Sequence, residues 1–94
     1  MNDIEYHSRV LAALDALDSK EREQVFAVVA SLKNGEVTAD LSRQLLSENQ
    51  NGQVFVYRVG PSLRLVVRRT CDEPTRYEIT DVMRREAIES YAAR

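Results

Sequence analysis

Along the first third of the chain, apolar residues recur at three- and four-residue intervals: Val10, Leu11, Leu14 and Leu17, then Val25, Val28, Val29 and Leu32. This spacing places each set on one face of a helix. Asp18 followed three residues later by Glu21 has the form of a capping box, in which the two side chains satisfy free backbone N–H groups at a helix start. The segment therefore divides into two helices that meet at Asp18-Ser19 and are expected to fold back as an antiparallel hairpin. Asn34-Gly35 closes the second helix, because glycine accepts the left-handed conformation that a helix end often needs. Before the first helix, Ile4 and Tyr6 alternate with Glu5, which fits either a short strand or the approach to the helix. Residues 38–47, with Leu41, Leu45 and Leu46 apolar, are expected to form one or two further helical turns.

Beyond the polar run Ser47-Glu48-Asn49-Gln50-Asn51-Gly52 the period changes to two. Val54 to Val59, Leu63 to Arg69 and Arg76 to Val82 read as strands, separated by Gly60-Pro61-Ser62 and Asp72-Glu73-Pro74. Strands so closely connected pair antiparallel. The tail from Arg84 to Arg94 is again helical in pattern, with Ala87, Ile88 and Tyr91 on one side. The predicted fold is one α+β domain spanning 1–94. It has an N-terminal antiparallel helical hairpin packed on a three- to four-stranded antiparallel sheet, and a short C-terminal helix. Such a sheet cannot bury its apolar face alone, so the helices must cover one side. Arg64 and Arg68 should project from the other.

Composition agrees with a folded, water-facing domain: of the 94 residues, 44% are hydrophobic and 30% charged. No apolar run approaches the roughly 18–20 residues needed to cross a membrane. The acidic, polar start Met-Asn-Asp-Ile-Glu is unlike a secretory signal, and the lone Cys71 suits a reducing compartment, so a cytoplasmic location is expected. His7 and Cys71 are too few and too far apart for a usual zinc site, and neither a metal nor a cofactor is expected. His7 reads as an exposed residue near the helix start, and Cys71 needs no role.

Charge changes the picture more. The net charge is −2, but residues 1–47 carry eight acidic and five basic side chains, while residues 54–85 carry seven arginines against four carboxylates. No lysine follows Lys33. Arginine presents a planar fork that matches phosphate, so the second half of the chain is a candidate anion-binding surface. Arg68, Arg69 and Arg84 fit ordinary surface charges equally well.

Three stretches carry a resemblance. Tyr57-Arg58-Val59-Gly60, Leu63-Arg64-Leu65-Val66-Val67 and Asp81-Val82-Met83-Arg84-Arg85-Glu86 together resemble the RelE/ParE toxin superfamily, whose members carry a helical hairpin, a Y-R-V-G-x-Y-R-L-V-Y strand pair and a closing V-x-H-R-R-x-x-Y segment. The resemblance runs from the helix start at Asp18 to Tyr91. It implies a toxin of a toxin–antitoxin pair, neutralised by a small antitoxin protein in a hetero-oligomer. In the RelE branch such toxins are endoribonucleases that cleave mRNA in the ribosomal A site and inhibit translation. In the ParE branch they act on DNA gyrase. Matched residue by residue, Arg64, Arg85 and Tyr91 take the catalytic positions and Arg58 a basic strand position; with Arg68 and Arg84, which the charge pattern adds, Arg58 forms the RNA- or phosphate-binding set.

The departures bear on chemistry. Met83 stands where many relatives have histidine, Ile88 where many have tyrosine, and Val56 with Tyr57 or Arg58 where some have lysines. A proton carrier must then be a carboxylate (Glu48, Glu78, Asp81 or Glu86), a perturbed arginine or Tyr91. The pI of 5.4 is low for a protein that docks on ribosomal RNA. Besides the nuclease, two readings stay open: a gyrase-binding toxin that cleaves nothing, and a silent relative that only binds an antitoxin.

Overall fold

The computed structural model describes residues 2–35, 43–70 and 75–92, with side chains of the last segment described as far as Ile88. The elements in chain order are β1 (Asp3–Tyr6), α1 (Ser8–Asp15), α2 (Ser19–Lys33), β2 (Arg43–Asn49), β3 (Gly52–Val59), β4 (Leu63–Arg69), β5 (Arg76–Arg84) and α3 (Arg85–Ala92). The five strands form one sheet in the order β1-β5-β4-β3-β2. β2 to β5 run antiparallel as a meander, and β1 joins β5 in parallel.

Local chemistry sets the helix limits. The Asp18 side chain accepts the Glu21 N–H at 2.8 Å, as the capping pattern predicts. Gly35 ends α2 with φ +71°, the left-handed conformation expected of it. His7 caps α1, its Nδ1 accepting the Arg9 N–H at 3.3 Å, so this histidine has a structural use. Arg22 of α2 donates to the carbonyls of Leu14 and Leu17 at 3.0 and 2.9 Å. It thereby adds a donor to the Leu14 carbonyl in the last turn of α1 and to that of Leu17 just beyond it. The expected hairpin needs correction: α1 lies on β5 while α2 crosses β1 and β3, so each helix is seated on the sheet rather than along the other.

Two further corrections concern the sheet. It is mixed and five-stranded, not a three- to four-stranded antiparallel one. Residues 43–47, expected to be helical, form β2 instead, and Leu41 lies outside the described residues, as do Cys71 and the turn Asp72-Glu73-Pro74. A helix of one or two turns is marginal by itself, whereas the open edge of β3 offers a row of backbone partners. The polar run beyond it shrinks to a two-residue turn at Gln50-Asn51, flanked by the pair Asn49 and Gly52. Glycine is required there: a Cβ on Gly52 would come within 2.2 Å of the Arg69 carbonyl oxygen. Of the two alternatives for Ile4 and Tyr6, the strand is the one formed.

The core lies between the sheet and helices α1 and α2. Val10, Leu14, Val25, Val28, Val29 and Leu32 meet Phe55, Tyr57, Val59, Leu63, Leu65, Val67, Tyr77, Ile79 and Val82. Burying a leucine such as Leu65 stabilises the fold by about 1.5–3 kcal/mol relative to leaving it exposed. Ile79 and Val82 face the same way although three residues apart, because the β4–β5 register shifts between Val66 and Val67 and leaves Thr80 as an extra residue. The Thr80 hydroxyl donates to the Val66 carbonyl at 3.1 Å across this bulge. Among the described residues no helix is long and apolar enough to cross a membrane.

Candidate functional site

The sheet face away from α1 and α2 carries Val54, Val56 and Arg58 from β3, Arg64, Val66 and Arg68 from β4, and Glu78, Asp81 and Met83 from β5, as the strand registers dictate. Val66 at its centre is fully buried. It is flanked two residues away on each side by Arg64 and Arg68, and long arginine stems cover apolar surface in this manner.

The two ends of this face differ in charge. At one end, Arg68 meets the carboxylate of Glu78 at 3.3 Å, its direct cross-strand partner. At the other end, near the Gly60–Ser62 turn, Arg58 stands directly opposite Arg64, and Arg64 directly opposite Met83. Like charges directly opposite on neighbouring strands are destabilising. Among the described residues neither Arg58 nor Arg64 forms a salt bridge. Arg64 instead donates to its own neighbour's carbonyl, Leu63 O, at 2.7 Å. The chain then turns from β5 into α3, where the Arg85 N–H donates to Ser62 O at 2.8 Å and fixes the first residue of α3 beside the same turn.

Arg58, Arg64 and Arg85 therefore share one end of the open face. The Arg64 guanidinium has its pKa lowered, first by burial and then by the like charges of Arg58 and Arg85, while Glu86 acts in the opposite sense. Arg85 and Glu86 approach each other at 3.9 Å, with both side chains more than half exposed. Cations held close together with partial desolvation form a site that gains from an incoming polyanion such as a phosphodiester.

The structure brings together three of the six residues selected from sequence. Arg68 lies on the same face but is occupied by Glu78. Arg84 points to the opposite face, where it is ion-paired and hydrogen-bonded to Glu21 of α2. That bond, then the Glu21 charge, raises the Arg84 pKa. The side chain of Tyr91 lies outside the described residues. Arg69 falls on the helix-covered face with Tyr77, its register partner.

Of the four carboxylates considered as proton carriers, Glu48 accepts from Gln53 at 2.7 Å beside the β2–β3 turn, at the far end of the sheet. Glu78 is held by Arg68, and Asp81 faces Arg9 of α1 at 4.0 Å while accepting its neighbour Val82's N–H at 3.0 Å. Glu86 alone of the four stands with Arg64 and Arg85. Sequence reasoning could not select it, since its place depends on how β5 turns into α3. Among the described residues no group of His, Cys, Asp and Glu could hold a metal ion.

No family model and no curated protein matches the sequence. The structure is similar to one chain of the archaeal RelE–RelB complex from Pyrococcus horikoshii OT3, with a TM-score of 0.77 at 15% identity, covering 89% of this chain and 94% of that one. The fold is thus RelE-like, over nearly the full length of both chains.

Proposed function

We propose that this protein is a RelE-like toxin of a toxin–antitoxin pair, a ribosome-dependent mRNA endonuclease that inhibits translation in the cytoplasm. The observation that supports it is the clustered arginine group Arg58, Arg64 and Arg85, with Arg58 set directly opposite Arg64, on the open sheet face of a RelE-like fold. Cleavage of RNA by its own 2′-hydroxyl passes through a pentacoordinate phosphorane dianion. Preorganised cations aimed at that charge stabilise the transition state more than the ground state. Arg64 and Arg85 serve this task, Arg58 steers and holds the backbone, and Tyr91 is the remaining side chain of the resemblance able to move a proton. The partner is a small antitoxin, since the similar fold was solved in a RelE–RelB complex.

The test is induction of the chain followed by primer extension. New mRNA 5′ ends clustered within codons are expected, and the Arg64→Ala/Arg85→Ala double variant should lose both those ends and the growth arrest. Unchanged toxicity in the double variant overturns the proposal.

A second reading, a ParE-like toxin that binds DNA gyrase, is favoured by one observation: the residue opposite Arg64 is Met83, which moves no proton. It predicts a supercoiling defect and a DNA-damage response with mRNA intact. A chain that arrests nothing but still binds its antitoxin would point to the silent relative.

A further inference from the structure

If the arginine group receives the phosphodiester, something must still take the proton of the attacking 2′-hydroxyl. We infer that Glu86, in the first turn of α3, is that general base, an inference that rests on the nuclease reading above. Its location carries the argument. Arg85, the residue before it, is anchored by its N–H to Ser62 O at 2.8 Å, which sets the start of α3 against the end of β4 where Arg64 lies. The Glu86 Oε1 is 3.9 Å from Arg85 Nη2. Its charge is also felt at Arg64, where among the described residues it is the carboxylate opposing the effects of Arg58 and Arg85. The other candidate carboxylates are committed elsewhere, Glu48 to Gln53, Glu78 to Arg68 and Asp81 to Arg9.

The loose contact matters. A carboxylate locked into a short bidentate pair with arginine has little lone-pair capacity left, whereas one at 3.9 Å with its side chain 75% exposed keeps both oxygens open. The charged groups around it are Arg64 from β4, Arg84 from β5 and Arg85 from its own helix, with Arg58 of β3 beyond Arg64. Asp18, which caps α2, and Glu21 within it act on Arg84.

In the step assigned here, the 2′-oxygen forms a bond to phosphorus as its proton passes to a Glu86 oxygen. The bond from phosphorus to the 5′-oxygen breaks, leaving a 2′,3′-cyclic phosphate. The departing 5′-oxygen takes a proton from solvent water, and Glu86 returns its own to solvent, so nothing is consumed. Arg64 and Arg85 hold the phosphate throughout.

The experiment is single-turnover cleavage of mRNA on programmed ribosomes by the full-length wild type, Glu86→Gln and Glu86→Ala. It is paired with binding of the same complex carrying a 2′-deoxy nucleotide at the scissile position. General-base catalysis is worth about 100- to 10,000-fold, so Glu86→Gln should cut that much more slowly while binding the uncleavable complex as well as wild type or better. Formate added to Glu86→Ala should restore part of the rate, which a merely positioning role of the side chain would not allow. Cleavage by Glu86→Gln within threefold of wild type, or a rate loss matched by lost binding and untouched by formate, overturns the inference. A wild type that cleaves beside an equally active Glu86→Gln removes this inference alone. A wild type that cleaves nothing removes the nuclease reading and this step with it.

Discussion

Seven arginines of this chain fall into two populations that differ in what neutralises them. Arg9, Arg68, Arg76 and Arg84 each meet a carboxylate from another element: Asp81, Glu78, Glu5 and Glu21. These pairs join α1 to β5, β4 to β5, β1 to β5 and α2 to β5, so each is satisfied within the fold. Arg58, Arg64 and Arg85 are instead set against one another and, among the described residues, the adjacent Glu86 is the carboxylate that offsets them. A protein that needed arginine there only for solubility would have no reason to align Arg58 with Arg64 in register. Repulsion retained at one end of a face whose other end is neutralised is what the proposed phosphate-binding role calls for.

The largest effect expected from breaking this contrast is at Arg64. Removing one preorganised charge from a transition-state site costs about 100- to 1,000-fold in rate. Arg64→Ala should therefore lower single-turnover mRNA cleavage by that factor. Its thermal midpoint should change little, because relief of the repulsion with Arg58 and Arg85 offsets the lost cover over Val66. A fall in midpoint equal to that of a core variant would show that Arg64 is structural.

The neighbouring residue supplies that core reference. Leu65 points to the opposite face and is fully buried against the helices. Leu65→Ala should lose about 2–5 kcal/mol of unfolding free energy through lost burial and the cavity left behind. At a temperature where the variant is still folded, its cleavage rate should be near that of wild type. Urea melts of the two adjacent variants would separate the faces by their opposite pattern of loss.

How much of this was legible in the sequence follows from the range of each signal. Asp18-Glu21 and Asn34-Gly35 act within a few residues: Asp18 and Gly35 appear as read, while the Glu21 carboxylate pairs with Arg84 in place of closing the capping box. The alternation through Leu63, Leu65 and Val67 correctly put Arg64 and Arg68 on the open face. β2 was missed because its leucines, Leu45 and Leu46, are adjacent across a bulge and mimic a helical stripe. Its conformation is set by the edge of β3, a partner the local pattern does not reveal.

The site was harder to read for a similar reason. Thr80 is an extra residue in β5, so strict alternation from Ile79 assigns Arg84 to the open face, and the bulge sends it to Glu21 instead. One trace was present: Val82 is apolar but out of phase with Tyr77 and Ile79. Glu86 could not be chosen over Glu48, Glu78 or Asp81 until the turn into α3 was seen.

The pooled arginines can also be converted into a paired set. Arg58→Glu places opposite charges directly across β3 and β4, which contributes roughly 0.2–1 kcal/mol in favourable cross-strand pairs. Thermal or urea unfolding should show a variant slightly more stable than wild type, while cleavage and ribosome binding fall, because Arg64 is then neutralised from within. A variant that gains stability and keeps full activity would mean that the repulsion serves no anion.

The smallest expected effect is the most discriminating between the two populations. Arg84 and Arg85 are adjacent, and the resemblance treats them as one basic pair, yet the structure sends Arg84 to Glu21 on α2 and Arg85 to the open end near Arg64. Exposed ion pairs contribute little to stability and are screened by salt. Arg84→Ala should therefore lower the melting midpoint only slightly, with the difference from wild type shrinking as salt is raised, and should leave cleavage near the wild-type rate. Arg85→Ala should do the reverse, leaving the midpoint in place and cutting the rate sharply. Equal loss of activity in both would mean that Arg84 leaves Glu21 to join the substrate, and the boundary between structural and functional arginines would then lie outside the pair rather than between its members.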